Sequence, residues 1–322
     1  MPEPLPRGAQ FTRSKMLWEI ALGVAGDTSI PYYGNRDVAI FIGNGSGENF
    51  KPWLRMSPGS PALAHAIVRG DLECSFVNPS SLLTQAYRGT GLFKEALPVR
   101  VIASFPSWDR FVIGVHPRTG ITSLSQLKEK KGLRLSIRED ATHSTRVLID
   151  QMLPMYGFTL ADLEKNGASY QLNRPPGDPR RLAAIKAQSV DVIFDEDIGS
   201  WVPAMLQNGY LPLDIEENVL TQLEAIGWRR ANLPKTRFPE LDHDRTVIDY
   251  SGWPLYTRAS LPDEDAYKIC AAIAQRNDEI AWDQKSYHGL DQLGRDTEET
   301  PLDVPLHPGA LKWFKEQGFK GY

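Results

Sequence analysis

The chain repeats one pattern, a short apolar run, a turn and a capped helix, and it breaks that pattern in one place. Val99-Arg100-Val101-Ile102-Ala103-Ser104-Phe105 is an apolar strand, and Arg110 to Val115 is another after only Pro106-Ser107-Trp108-Asp109. Alternation elsewhere predicts strands covered by helices, an α/β architecture. Two strands in succession with no helix between them predict the point where the chain leaves one sheet for another. Thr246 to Ser251, ahead of Gly252-Trp253-Pro254, predicts the return. One exit and one return divide the chain into a discontinuous lobe, 1–104 plus 250–322, and an inserted lobe, 105–249.

The punctuation of the elements is explicit. Val38 to Ile42 reads as a buried strand that closes on Gly43-Asn44-Gly45-Ser46-Gly47, and Glu48 to Met56 as the first turn of a helix. Ser60-Pro61 supplies an N-cap and a proline at the first helical position, and the helix stops at Gly70. Leu72 to Val77 is the next strand, and Asn78-Pro79-Ser80-Ser81 caps a helix from Leu82 to Tyr87. In the inserted lobe, Ser123 and Gln126 form a capping box. Leu133 to Ile137 is a strand, Thr142 to Met152 a helix ended by Pro154 and Gly157, Asp178-Pro179 opens a further helix, and Val190 to Phe194 is a strand. The tail from Ser260 is mostly helical.

Composition excludes several classes. A length of 322 residues fits one or two domains, and 41% hydrophobic with 24% charged residues is ordinary for a globular chain. A net charge of −4 offers no basic field for nucleic acid. Cys74 and Cys270 sit in apolar surroundings and read as buried thiols. No apolar run approaches the roughly 18 residues that span a bilayer. Near the N-terminus Leu17, Ile20, Ala21 and Val24 fall at helical spacing, and Glu19 interrupts the apolar stretch, which predicts an amphipathic helix and not a cleaved leader.

The C-terminal run Pro305-Leu306-His307-Pro308-Gly309-Ala310, with Trp313-Phe314 and Glu316-Gln317-Gly318, resembles the terminus of the TAXI family, the solute receptors of TRAP-type transporters. Gly45-Ser46-Gly47-Glu48-Asn49-Phe50 resembles that family's Gly-Ser-x-Glu-Asn-Leu segment. Gly120 to Lys128 resembles its Gly-Ile-x-Ser-Leu-x-Asp-Leu-Lys. The likeness spans residue 38 to the end. It implies a type II periplasmic-binding-protein fold: two α/β lobes, a central cleft and a two-strand hinge. It also implies a periplasmic receptor that binds a small carboxylate or amino acid and meets TRAP membrane subunits. Two departures stand out. The family's opening strand and loop are replaced by a polar, Pro-rich stretch, and its Gly-Ser-Gly-Thr turn by Arg138-Glu139-Asp140-Ala141-Thr142-His143-Ser144-Thr145.

Ligands of two-lobed α/β proteins bind beyond the carboxyl ends of strands. Five loops therefore offer binding residues. Asn44, Gly45 and Ser46 present backbone N–H groups and a hydroxyl. Asn78, Ser80 and Ser81 stand at a helix start. Trp108 marks the crossing, able to close over a ligand or to pack the hinge. Arg138, Thr142, His143, Ser144 and Thr145 gather donors at a helix N-terminus, where the dipole favours an anion. Asp195 and Glu196 end a strand and could take an amine. Donors and acids together suit a zwitterion; donors alone suit a carboxylate such as a 2-oxo acid. His307, held between prolines, reads as structural.

No HExxH, GxSxG, Walker loop or dinucleotide fingerprint occurs, so no metal, cofactor or catalytic residue is predicted. The expectation is a monomeric solute-binding protein that works by hinge closure. Two alternatives stay open: an enzyme on the same scaffold, such as a decarboxylase of aromatic acids, and a cytoplasmic ligand sensor. Because the chain as written shows no export signal, a cytoplasmic location is the alternative to the periplasm.

Overall fold

The computed structural model describes residues 40–44, 49, 51–57, 63–138, 141, 143–173 and 175–322. The helix expected at residues 17–24, the Ser60-Pro61 helix start and the glycine loop from Gly45 to Gly47 lie outside the described residues.

The chain begins with β1 (Ile40–Asn44) and β2 (Lys51–Ser57), an antiparallel hairpin with a bulge beside Gly43. The helical turn expected from Glu48 to Met56 is therefore corrected to a strand. Pro52 sits opposite that bulge, where a ladder can spare an N–H. Leu54 is buried in the sheet's core, while Arg55 reaches Glu73 through Nε at 3.1 Å and Nη2 at 2.7 Å. The next elements are α1 (Leu63–Arg69), β3 (Cys74–Phe76), α2 (Ser80–Arg88) and β4 (Val99–Phe105). Gly70 ends α1 at φ 82°, a conformation that glycine adopts without strain.

Beyond β4 the chain enters a second sheet with β5 (Arg110–Val115), β6 (Arg134–Arg138), α3 (Ser144–Met155), α4 (Leu160–Lys165), β7 (Ser169–Asn173) and α5 (Pro179–Lys186). It continues through β8 (Val192–Asp195), α6 (Ile198–Gln207), β9 (Leu211–Pro212), α7 (Glu217–Ala225), β10 (Arg230–Leu233) and β11 (Arg245–Asp249). β12 (Trp253–Arg258), α8 (Asp263–Gln275) and α9 (Pro308–Glu316) return to the first sheet. The first sheet runs β1-β2-β3-β12-β4, and the second β10-β11-β5-β8-β6-β7 with β9 on β5. The fold is a mixed α/β, two-lobed one, and the sheets exchange strands across residues 106–109 and 250–252.

The C-terminal signature has a packing explanation. Leu306 bridges Val101 of β4, and His307 donates its backbone N–H to the Val101 carbonyl at 2.7 Å. The His307 ring, fully buried, caps α9 by accepting the Gly309 N–H at Nδ1. A Cβ on Gly309 would lie 2.0 Å from the Asp263 carbonyl oxygen, so only glycine lets α8 and α9 approach this closely. Ala310, Trp313 and Phe314 then bury themselves against Ile102, Ile269 and Cys270. Cys74 and Cys270 are free and buried, and burial pushes both thiols up to about 12.

Candidate functional site

Strand direction decides which residues meet. β6 and β8 are parallel, so Arg138 and Asp195 end on the same edge of the second sheet. β5 is antiparallel to β8 and β11 antiparallel to β5, which brings Arg110 and Asp249 to that edge too. In the first sheet β3 ends and β12 begins at the corresponding edge. The two crossings join these edges and form a seam between the lobes.

The crossings are bonded to each other. The Gly252 N–H donates to the Ser107 carbonyl at 3.1 Å, and the Tyr250 N–H to the Asp109 carbonyl at 3.1 Å. Arg110, 1% exposed, donates to Asp249 at 3.0 Å and to the Ser251 hydroxyl at 2.6 Å, and also meets Glu298. Trp108 is held from several sides. Its indole donates to Glu298 at 2.7 Å, and the guanidiniums of Arg110 and Arg237 lie over its ring at 4.2 and 3.8 Å. These contacts pack Trp108 against Arg110, Arg237 and Glu298 beside the first crossing. Asn78 likewise clamps the second crossing, donating from Nδ2 to the Tyr250 carbonyl at 3.2 Å.

On the first-lobe side, α2 points its N-terminus at the seam. Pro79 occupies the N-cap position and provides no side-chain cap. Ser80 and Ser81 are buried, and the Ser81 hydroxyl has no hydrogen-bond partner among the described residues. Asn44, by contrast, is placed elsewhere. β1 is antiparallel to β2 and β2 parallel to β3, so Asn44 pairs with Lys51 at the end of the sheet away from Asn78. The six steps along β2 from Lys51 to Ser57 correspond to about 20 Å. Gly45 and Ser46 lie outside the described residues.

On the second-lobe side, the anticipated donors and acids find one another. Arg138 donates from Nε to Asp195 at 2.8 Å and through Nη2 to Glu196. The other Asp195 oxygen accepts from Arg181, whose Nε reaches the Ser136 hydroxyl at 3.0 Å. Asp195 is fully buried, its charge matched by two guanidiniums. His143 caps α3 by accepting the Thr145 N–H, and Ser144 and Thr145 are buried behind it. Thr142 lies outside the described residues.

Two residues that the sequence places at the crossings without a role, Asp109 and Tyr250, lie buried at the seam. Asp109 accepts the N–H groups of Arg110, Asp197 and Ile198 at 2.8, 2.8 and 3.1 Å. Its carboxyl neighbours that of Glu196. Burial pushes Asp109 up to about 6 against these bonds, and burial raises Glu196 well above the usual range despite Arg138. Tyr250, fully buried, stacks with Phe111 and Trp228 at ring separations of 5.7 and 5.9 Å. Its hydroxyl faces Ser144 but makes no well-directed hydrogen bond among the described residues. A signal for both existed: each is a polar residue at the hinge end of an otherwise apolar strand.

Among the described residues no group of His, Cys, Asp and Glu could hold a metal ion, and no helix is long and apolar enough to cross a membrane. What these features define is an α/β protein with two sheets and a polar seam at their junction. The chain belongs to the NMT1-like family, whose model matches residues 37–318. Among solved structures it is similar to one described as a periplasmic transporter, at 11% identity and TM-score 0.38, covering 80% of this chain and 79% of that one. It is similar also to XAC2383 from Xanthomonas citri bound to chloride ion, at 13% identity and TM-score 0.34 over 80% of each chain. An ancestral arginine-binding protein bound to arginine matches at 12% identity and TM-score 0.29, covering 68% and 72%. At these identities and scores nothing about a ligand carries across.

Proposed function

We propose that this protein is a solute-binding receptor that holds a small carboxylate or amino acid in the seam between its lobes and delivers it to TRAP-type membrane subunits outside the cytoplasm. One observation carries the reading. The N-terminus of α2 reaches the seam uncapped, with the Ser81 hydroxyl buried beside it and without a partner. Orphan N–H groups at a helix start, together with the helix dipole, suit an anionic oxygen. A buried donor without a partner costs stability, and a ligand that accepts from it recovers that cost. Ser80, Ser81, Ser144, Thr145, Glu196 and Tyr250 are the side chains we assign to ligand contact. Asn78, Trp108 and Arg138 hold the crossings and the seam in shape, and Asp195 anchors the two guanidiniums.

The test is titration calorimetry with a panel of small carboxylates and amino acids. Binding at about micromolar affinity or better, weakened by Ser81→Ala, supports the receptor. A second reading, an enzyme acting on an aromatic acid, is favoured by the neighbouring Asp109 and Glu196 carboxyls, both raised by burial, as candidates for a general acid. Release of carbon dioxide from an added aromatic acid would establish it in place of the receptor.

A further inference from the structure

The lobes touch again away from the crossings, where α2 passes α3. Gln85 of α2 and Gln151 of α3 exchange two side-chain hydrogen bonds, Nε2 of each donating to Oε1 of the other at 3.4 Å. Which end of each amide is oxygen follows from its other partner. The Leu92 N–H donates to the Gln85 oxygen at 3.2 Å, and the Trp228 indole N–H to the Gln151 oxygen at 2.7 Å. Both groups can only donate, so the atoms they meet are acceptors. Leu92 belongs to the first lobe with Gln85, and Trp228 to the second with Gln151.

Each lobe therefore orients its own glutamine, whether or not the other lobe is in contact. When the lobes part, the amide N–H groups of the pair exchange each other for water, at little cost. The bonds around the pair have the same character. The Thr90 hydroxyl donates to the Ile226 carbonyl at 2.7 Å, Arg88 to the Glu224 carbonyl at 3.3 Å and Arg229 to Asp296 at 2.8 Å, each from one lobe to the other. A Cβ on Gly227 would lie 3.2 Å from the Gln85 backbone nitrogen, so glycine lets this turn seat on α2. The apolar cluster that holds Leu82 and Leu83 also holds Trp228 and Tyr250, so seating buries apolar surface as well. Ser81 stands one turn before Gln85, and Ser144 two turns before Gln151. The pair thus sets the spacing of the two helix starts at the seam.

We propose that Gln85 and Gln151 form a reversible clasp between the lobes, which registers α2 against α3 when the seam is closed and parts when it opens. A small contact rich in polar groups is what separable domains present to each other. The clasp goes beyond the receptor reading. Its test uses no ligand, so it can fail while that reading stands.

The experiment makes the clasp titratable with the double variant Gln85→Glu and Gln151→Glu. At about pH 4.5 the two carboxyls share a proton and hold, and at about pH 8.5 both are charged and repel. Spin labels on Lys94→Cys and Asn218→Cys, exposed in the first and second lobes, report the separation by pulsed electron resonance in the full chain. Cys74 and Cys270 are buried and stay unlabelled. In the double variant the ratio of long to short distance should rise about tenfold or more from the acid to the alkaline value, with the far-ultraviolet circular dichroism unchanged. The unaltered pair does not titrate and should keep the short distance at both. If the double variant does not fold at the acid value, Gln85→Glu alone is read in the same way, its neutral carboxyl able to donate to Gln151 and its charged form not. One distance at both values in the variant, unfolding in place of separation at the alkaline value, or an equal change in the unaltered protein would overturn the clasp.

Discussion

Asp109 caps α6 from outside the helix, with Oδ1 accepting the Ile198 N–H at 3.1 Å. The residue in the N-cap position, Asp197, has φ 52° and forms no side-chain cap of its own. A hinge residue thus supplies what the helix start lacks. Asp109→Ala should cost about 1–2 kcal/mol in urea unfolding, the usual loss of a cap. Asp109→Asn should cost less, because the amide oxygen still accepts.

The same residue gives a pH dependence. Its folded-state carboxyl titrates near about 6, above the ordinary 3.8. The folded state therefore binds more protons than the unfolded one between those values, and stability falls as pH rises through that window. Asp109→Asn should flatten this part of the profile of melting temperature against pH.

Asp191, at the far end of the second sheet, predicts the opposite sign. Burial alone would raise its carboxyl, but bonds from Arg134 and Arg118 outweigh burial and bring it to about 2. Its contribution is present above the unfolded value of 3.8 and is lost as pH falls towards about 2. Acid unfolding followed by circular dichroism should be shallower across that window in Asp191→Asn.

Arg110 and Asp249 tie the crossings together at 3.0 Å, with side chains 1% and 6% exposed. Removing one member of so buried a pair leaves an uncompensated charge. Arg110→Met should cost about 3 kcal/mol or more in thermal unfolding. The double variant Arg110→Met with Asp249→Asn should recover part of it.

The terminal signature predicts a steric effect. Gly309→Ala places a methyl 2.0 Å from the Asp263 carbonyl oxygen, against backbone that has little room to move. The expected loss is about 2 kcal/mol or more, read as a fall in melting temperature. His307→Ala should lose about 1 kcal/mol for the missing cap.

Much of the fold was legible because its signals are local. The Ser123 and Gln126 capping box, the Gly70 stop and the Asp178-Pro179 helix start all sit in a few residues. The double strand at 99–115 marked the change of sheet for the same reason. Glu48 to Met56 was misread because its strand depends on pairing with β1, which the segment itself does not announce. The site was harder. Asn44 looks like Asn78 in sequence, each after an apolar strand, but strand direction sends them to opposite ends of the sheet. Arg138 and Asp195 each look like ligand groups alone; only the parallel pairing of β6 and β8 shows that they satisfy each other. Asp109 and Glu196 stand 87 positions apart, and no spacing rule connects them.

Binding at the seam is tested most directly by comparing Ser81→Ala with the unaltered protein in titration calorimetry against small carboxylates and amino acids. The Ser81 hydroxyl has no partner among the described residues, so its removal should leave the ligand-free melting temperature unchanged or slightly higher. The same change should weaken binding of the best ligand by about tenfold or more, the worth of a hydrogen bond to a charged group. Equal affinity in both proteins, or no binding by any member of the panel, would contradict the assignment.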